Sequence, residues 1–433
     1  MFDLLQGLKV VDLTTVVLGP YACQFLGDFG ADVIRVEAPS GDVFRAIRPG
    51  ASEDLGAGFL NFNRNKRCIT LDLTQPEPRT ALYKLVQSAD VVVHNMRRRS
   101  ATKLGIDFES LTAINPNLVY CFAPGFGSDG PDGDAPAYDD IIQARAGLAA
   151  LNADAEGAPQ FVRTIACDKV VGLHLAMAVL AGIVRQQREG GSISIEVPML
   201  ETMSAFLMAE HLAGHTLLPT QGDLGYARLM TPHRKPYATQ DGYVAILPYS
   251  TKHWVRFFSA CGQADLAQAD WVNDPIQRSY RIDELYRKVA ELATQRTTAD
   301  WLAVLQAEDI PCAPINSLEQ VLTDEHLNSV GLLQTFVDEP AIRFLQSPFN
   351  VSVLNEGVEN APKSVLADGA DTAVGLADTA IPAPEMQPVR TTDTAPRRDF
   401  RAPHLGEHTR EVLAELGYSG AEIASLIELS KSP

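Results

Sequence analysis

Apolar positions along the chain keep two rhythms. Runs of strand length occur at Leu8–Leu13, Asp32–Glu37, Cys68–Leu73, Asp90–His94, Leu118–Phe122 and Ser192–Pro198. Segments with helical spacing lie between them, at Tyr21–Phe29, Glu77–Ser88, Tyr138–Ala150 and from Asp168 to about Val184. Strand–helix–strand alternation predicts a parallel sheet with right-handed crossovers. A helix at Met199 to about Thr216 closes this part, and Leu217–Leu229 reads as a linker.

Residues 230–330 form a second, smaller pattern. Tyr237–Leu247 predicts a hairpin about Asp241-Gly242. Helices follow at Lys252–Cys261, Asp283–Gln295 and Thr298–Glu308, and Pro311–Asn316 reads as an edge segment. Residues 331–433 return to the first pattern. Within them, 355–398 are rich in Ala, Asp, Thr and Pro without apolar periodicity and read as a flexible insert. Two short helices, Thr409–Leu416 and Gly420–Leu429, end the chain. The expected organisation is a large α/β domain over 1–216, a linker over 217–229, a smaller domain over 230–330 and a return segment over 331–433.

Composition narrows the class. The 433 residues are 46% hydrophobic and 21% charged, enough for a substantial core. A formal net charge of −18 disfavours partners such as nucleic acid or an anionic membrane. The longest apolar run, Leu173–Val184, is interrupted by His174 and is too short to span a bilayer. The N-terminal residues carry no signal-like pattern. Six scattered cysteines without metal-like spacing predict a reduced, cytoplasmic protein with no metal site.

Three places carry candidate chemistry. Asp168 stands where a loop meets a helix, as a cap for the first amides or as a carboxylate nucleophile held by them. The segment Asn95–Arg99, with Lys103 a turn later, is a solvated basic loop or a phosphate clamp at the carboxyl end of a strand. Glu37 ends the second strand, where a dinucleotide fold keeps its ribose-binding acid. Gly19, Gly27 and Gly30 lack the G-x-G-x-x-G spacing, so an NAD site is poorly supported.

The phrases LGPYACQFLGDFGADVIRVEAPSGD, NRNKRCITLDL, ADVVVHNMRRRSATKLGIDFESL, NPNLVYCFAPGFGSDGP, AYDDIIQARAGLAAL and APHLGEHTREVLAELGY, in this order, resemble the class III CoA-transferase family of the CaiB/BaiF type. The resemblance covers about residues 8 to 210 and the last thirty. It implies a Rossmann-like doubly wound parallel sheet in the large domain, a smaller α+β domain and an interlocked homodimer. It also implies coenzyme A or acyl-CoA as substrate, with a small carboxylic acid as partner and no tightly bound cofactor. The family's catalytic aspartate precedes a glycine by four positions, which Asp168 and Gly172 match. CoA contacts carried over from the family fall at Val17, Leu18, Leu71, Asn95, Met96, Arg97, Lys103, Tyr138 and Asp139. Gly125 and Gly127 are either oxyanion-loop glycines or simple turn residues.

Where the family often has a glycine-rich loop, this chain has Arg228, His233, Arg234 and Lys235. That basic stretch either binds an acid with an extra carboxylate or is a solvated loop. Three rival readings stand beside CoA transfer between acids: an α-methylacyl-CoA racemase or an intramolecular CoA-transfer isomerase, a Cys167–His174 hydrolase, and a non-enzymatic acyl-CoA binder. Tyr138 stands where the racemases keep a histidine, and tyrosine is a poor proton shuttle near neutral pH.

Overall fold

The computed structural model describes residues 2–336, 342–351 and 401–430. The insert expected at 355–398 lies outside the described residues. Contacts divide the chain into two units. One holds the residues up to Pro136, Asp168–Pro198 and those from Gln334 onward; the other holds Ala137–Cys167 and Met199–Leu333. The expected linker 217–229 therefore runs inside the second unit. Ala137–Cys167 belongs there because helix Asp139–Ala146 packs on helix Met199–His211.

The large unit is built on six parallel strands: β1 (Lys9–Asp12), β2 (Asp32–Glu37), β3 (Lys66–Thr70), β4 (Val91–His94), β5 (Val119–Phe122) and β6 (Ile193–Glu196). Their order is β3-β2-β1-β4-β5-β6, the doubly wound arrangement. Val91, Val92 and Val93 are fully buried, as expected of strands covered on both faces. Helices flank the sheet: α1 (Leu18–Asp28), α2 (Pro76–Gln87), α3 (Arg98–Leu104) and α4 (Ala166–Glu189). α1 starts three residues before its expected start because Pro20 fits a first helical turn, where no amide is needed.

α4 corrects two expectations. It begins at Ala166, so Asp168 is a residue of the first turn, not the cap. It also runs 24 residues, long and apolar enough by length and composition alone to cross a membrane. In this fold half of that stretch is buried, with Val171, Leu175 and Val179 fully enclosed, as in a core helix.

The C-terminal helices Thr409–Glu415 and Gly420–Leu429 complete the large unit's core. Val412, Leu413, Ile423 and Leu426 pack with Ile69, Leu71, Leu82 and Val86. The second unit has its own core around Trp254, Phe257, Tyr286 and Trp301. Its small antiparallel sheet orders β7 (Tyr237–Ala238), β8 (Tyr243–Ile246) and β9 (Cys312–Pro314), with the expected hairpin turn at Asp241-Gly242.

Candidate active site

In a doubly wound sheet, ligands bind beyond the carboxyl ends of the strands where the order reverses. Here that point lies between β1 and β4, and both of the following loops are tied down. Asp12 Oδ1 accepts from the Thr14 amide (2.9 Å) and hydroxyl (2.5 Å). Asn95 bridges the two loops: its Oδ1 accepts from the Thr15 amide and its Nδ2 donates to the Thr15 carbonyl, both at 2.9 Å. Asp42 Oδ2 accepts from the Val16 amide at 2.9 Å. Val16 is held at φ +69°, a region a β-branched residue rarely enters. Such a conformation persists only where neighbours over-determine it, and here three consecutive residues are each fixed by a different side chain.

Those anchors rest on a buried ion network. Arg35 is fully enclosed and pairs with Glu37 (2.8 Å) and Asp42 (2.5 Å), while Lys66 reaches Asp12 at 3.0 Å. Burial alone would raise the Asp12 pKa, but Lys66 and Arg35 outweigh it and keep the carboxyl below its usual range. Burial likewise opposes ionisation of Glu37, yet Arg35 and Arg45 hold it well below the carboxylate range. Glu37 thus sits where a ribose-binding acid would, but both of its oxygens are engaged by arginines.

Next to this loop, a cavity opens at the carboxyl ends of β1 to β4. Thr14, Thr15, Leu71, Met96 and Leu104 are among its walls, so Leu71 and Met96 of the predicted CoA contacts meet there. Arg97 caps α3 and donates to the Asp134 carbonyl at 3.1 Å; Lys103 is exposed on the last turn of α3. Of the basic stretch Asn95–Arg99, residues 95–97 are loop, and Arg98 and Arg99 open the short helix that also carries Lys103.

His94 was not singled out from sequence, because a lone histidine ending a strand carries no signal. It is fully buried, and its Nδ1 accepts from the Met96 amide at 3.2 Å. Nε2 is therefore the protonated nitrogen. It donates to the Tyr120 hydroxyl at 2.5 Å, which donates in turn to the Ile106 carbonyl at 3.1 Å. Burial pushes the His94 pKa down to about 4, which keeps the ring neutral and the Met96 loop in place.

Asp168 is buried in the first turn of α4. The next turn fixes its position. A Cβ at Gly172 would lie 2.6 Å from the Leu18 carbonyl oxygen and 3.4 Å from the Tyr21 ring. Glycine thus lets α4 lie directly on the first turn of α1. Asp168, four residues earlier, lies on the same face of α4, one turn before this contact. Val17, the residue before α1, offers no side-chain cap; Pro20 has no amide and that of Tyr21 donates to the Val17 carbonyl, which leaves the amides of Leu18 and Gly19 as candidate donors. A carboxylate at the start of α4 is favoured in its charged form by the helix dipole.

The remaining predicted residues, Tyr138 and Asp139, belong to the second unit. Tyr138 is exposed, and Asp139 Oδ2 accepts from Gln143 at 2.6 Å. The glycines Gly125 and Gly127 lie in the loop after β5, which Glu196 at the end of β6 anchors through the Ser128 amide at 2.8 Å. The thiol–imidazole pair fails on geometry. Cys167 and His174 are two turns apart on one helix, about 10 Å along its axis, and His174 Nδ1 is bonded to the Val170 carbonyl at 2.8 Å.

Known proteins point the same way. The model of CoA-transferase family III matches residues 5–372. A succinate–glutarate CoA-transferase from Agrobacterium fabrum is 29% identical over 95% of both chains. A succinyl-CoA:mesaconate CoA-transferase from Haloarcula hispanica is 30% identical over 95% of this chain and 96% of its own. The crystal structure of a CAIB/BAIF family protein from Brucella suis superposes with a TM-score of 0.70 at 28% identity, covering 95% of this chain and 99% of that one.

Proposed function

The chain belongs to CoA-transferase family III, and from that premise we propose that it moves coenzyme A from an acyl-CoA to a free carboxylic acid by covalent catalysis on Asp168. The observation that supports this reading is the packing of Gly172 on Leu18 one helical turn from the buried Asp168. An aspartate titrates near ~3.9 in water, so it needs no base to act as a nucleophile at neutral pH.

In the first step an Asp168 oxygen bonds to the thioester carbonyl carbon, the C–S bond breaks, and CoA leaves as thiolate. An aspartyl–acyl anhydride remains. The thiolate then attacks the aspartyl carbonyl, the donor acid leaves as carboxylate, and an aspartyl–CoA thioester forms. The acceptor carboxylate attacks that thioester and expels the thiolate again. The thiolate finally takes the acceptor's acyl group, and the Asp168 carboxylate is restored. No water or proton is consumed. Amides at the start of α1 are suited to stabilise the oxyanions, and the cavity at Leu71 and Met96 to hold part of the CoA. Arg97 and Lys103 would face its phosphates.

Relatives named for succinate, glutarate and mesaconate make short dicarboxylic acids the first donors and acceptors to try. We also propose a homodimer, testable by native mass spectrometry, and a cytoplasmic location, which six free thiols suit.

The decisive experiment uses succinyl-CoA and an acceptor labelled with ¹⁸O in its carboxylate. The bridging oxygen of the second anhydride comes from the acceptor and stays with Asp168. Label in the Asp168 peptide is therefore expected, and Asp168→Ala should abolish transfer. Sustained transfer with no label on that peptide would rule the mechanism out.

A further inference from the structure

The second unit contains a cavity that the transfer chemistry does not use. Arg228 and Arg278 both line it, together with Tyr249, Trp254 and Tyr286. Arg228 lies with its guanidinium carbon 4.3 Å from the Tyr249 ring centre, and its Nε donates to the Tyr286 hydroxyl at 2.5 Å. Because that hydroxyl accepts from Arg228, its own hydrogen is left to donate. Arg278 is buried; its Nη1 donates to the Thr251 hydroxyl (3.0 Å) and the Val272 carbonyl (2.5 Å).

Neither arginine has a carboxylate within 4.0 Å among the described residues. The carboxylates on neighbouring elements are committed elsewhere. Asp274 accepts from the Ile276 and Gln277 amides, Asp283 takes the Thr231 hydroxyl, and Glu284 pairs with Arg281. In a chain of net charge −18, two guanidinium groups line one cavity with no ion pair to either among the described residues. Buried charge is normally compensated by a partner, and among the described residues only Asp274 acts on Arg278, from beyond ion-pair distance.

We infer that this cavity is a binding site for a short-chain dicarboxylic acid. Two guanidinium groups match a dianion in charge, and their planar forks match carboxylate oxygens. The Tyr286 hydroxyl adds a third donor. Trp254 and Tyr286, with Ile282 and two prolines in the same wall, suit a carbon chain between the charged ends rather than a compact inorganic anion. The sequence had marked Arg228 within a basic stretch; Arg278, fifty residues on, carried no such mark. The inference does not depend on the chemistry at Asp168.

The test uses the full chain without CoA, so that no turnover occurs. Calorimetry with succinate and glutarate should show saturable binding that perturbs Trp254 fluorescence, a change absent in Trp254→Phe. Butyrate and inorganic phosphate should bind at least fivefold more weakly. Arg228→Gln and Arg278→Gln should each weaken the dicarboxylate at least fivefold. Should Arg278→Gln fail to fold by circular dichroism, Arg228→Gln alone decides. A loss below fivefold in the folded variants, tighter binding of phosphate than of either dicarboxylate, or no binding at millimolar acid would each overturn the inference. Labelled-oxygen transfer through Asp168 is a separate readout, so either claim can fail alone.

Discussion

Replacing Gly172 by alanine tests the packing that positions the candidate nucleophile. The new methyl would sit 2.6 Å from a backbone oxygen of Leu18, which no rotamer change can relieve. To reach ordinary contact, α4 must retreat from α1 by about 0.8 Å, and a misplacement near 1 Å at a reacting group costs on the order of 10²-fold in rate. Stability should respond far less. Alanine gains about 0.8–1 kcal/mol over glycine in a helix interior, against about 1–3 kcal/mol for overpacking, so the net loss stays below about 2 kcal/mol. Gly182→Ala is the matched control. Its methyl would approach the side chains of Val119 and Ile195 at 2.6 and 3.1 Å, roughly 15 Å further along the same helix. Both variants should unfold slightly earlier in urea, but only Gly172→Ala should lose kcat with succinyl-CoA by tenfold or more. Equal kcat in the two variants would refute the claim that the Gly172 contact sets the reactive geometry.

Other expectations follow from the same neighbourhood. His94 titrates near 6.5 when unfolded and about 4 when folded, so its contribution is complete above pH 6.5 and drains away as pH falls toward 4, by roughly 3 kcal/mol; urea titrations across this window should show the slope, and His94→Gln should flatten it. Arg35→Met leaves Asp12, Glu37 and Asp42 without their shared cation and should lower unfolding free energy by about 3–5 kcal/mol, read as a fall in the urea midpoint at pH 7. Asn95→Ala removes both bonds to Thr15 and should raise KM for the acyl-CoA donor several-fold; Asn95→Asp, which keeps an acceptor for the Thr15 amide, should fall between.

Much of the large unit was legible in the sequence because its strands are short, buried Val and Ile runs separated by amphipathic helices. β2 and the last helix fall on their expected residues, and the other strands differ at their ends by one to three residues. What periodicity missed is what depends on distant residues. The start of α3 read as part of a basic loop or phosphate clamp because charged side chains hide helical spacing. Asp168 read as standing at the junction of loop and helix, as cap or nucleophile, because apolar spacing begins after it, whereas the helix itself starts two residues before. The role of Asn95 in joining two loops and the burial of His94 arise from pairing across the sheet, which no local window contains. Likewise Arg228 and Arg278 meet only through tertiary folding, although each is ordinary in its own segment.

The last described stretch of the chain has an implication for biosynthesis. Arg45 donates to the Pro403 carbonyl, the Cys68 amide to His408, and the Thr70 amide to Thr409. The first half of the sheet therefore leaves the ribosome long before the residues that seal its outer side. At the usual ~5–20 residues per second, that wait lasts roughly 15–60 s, during which Ile69, Leu82 and Val86 lack their permanent cover. A nascent chain stalled before residue 401 should accordingly be protease-sensitive and engage holdase chaperones, while one released past residue 430 should not.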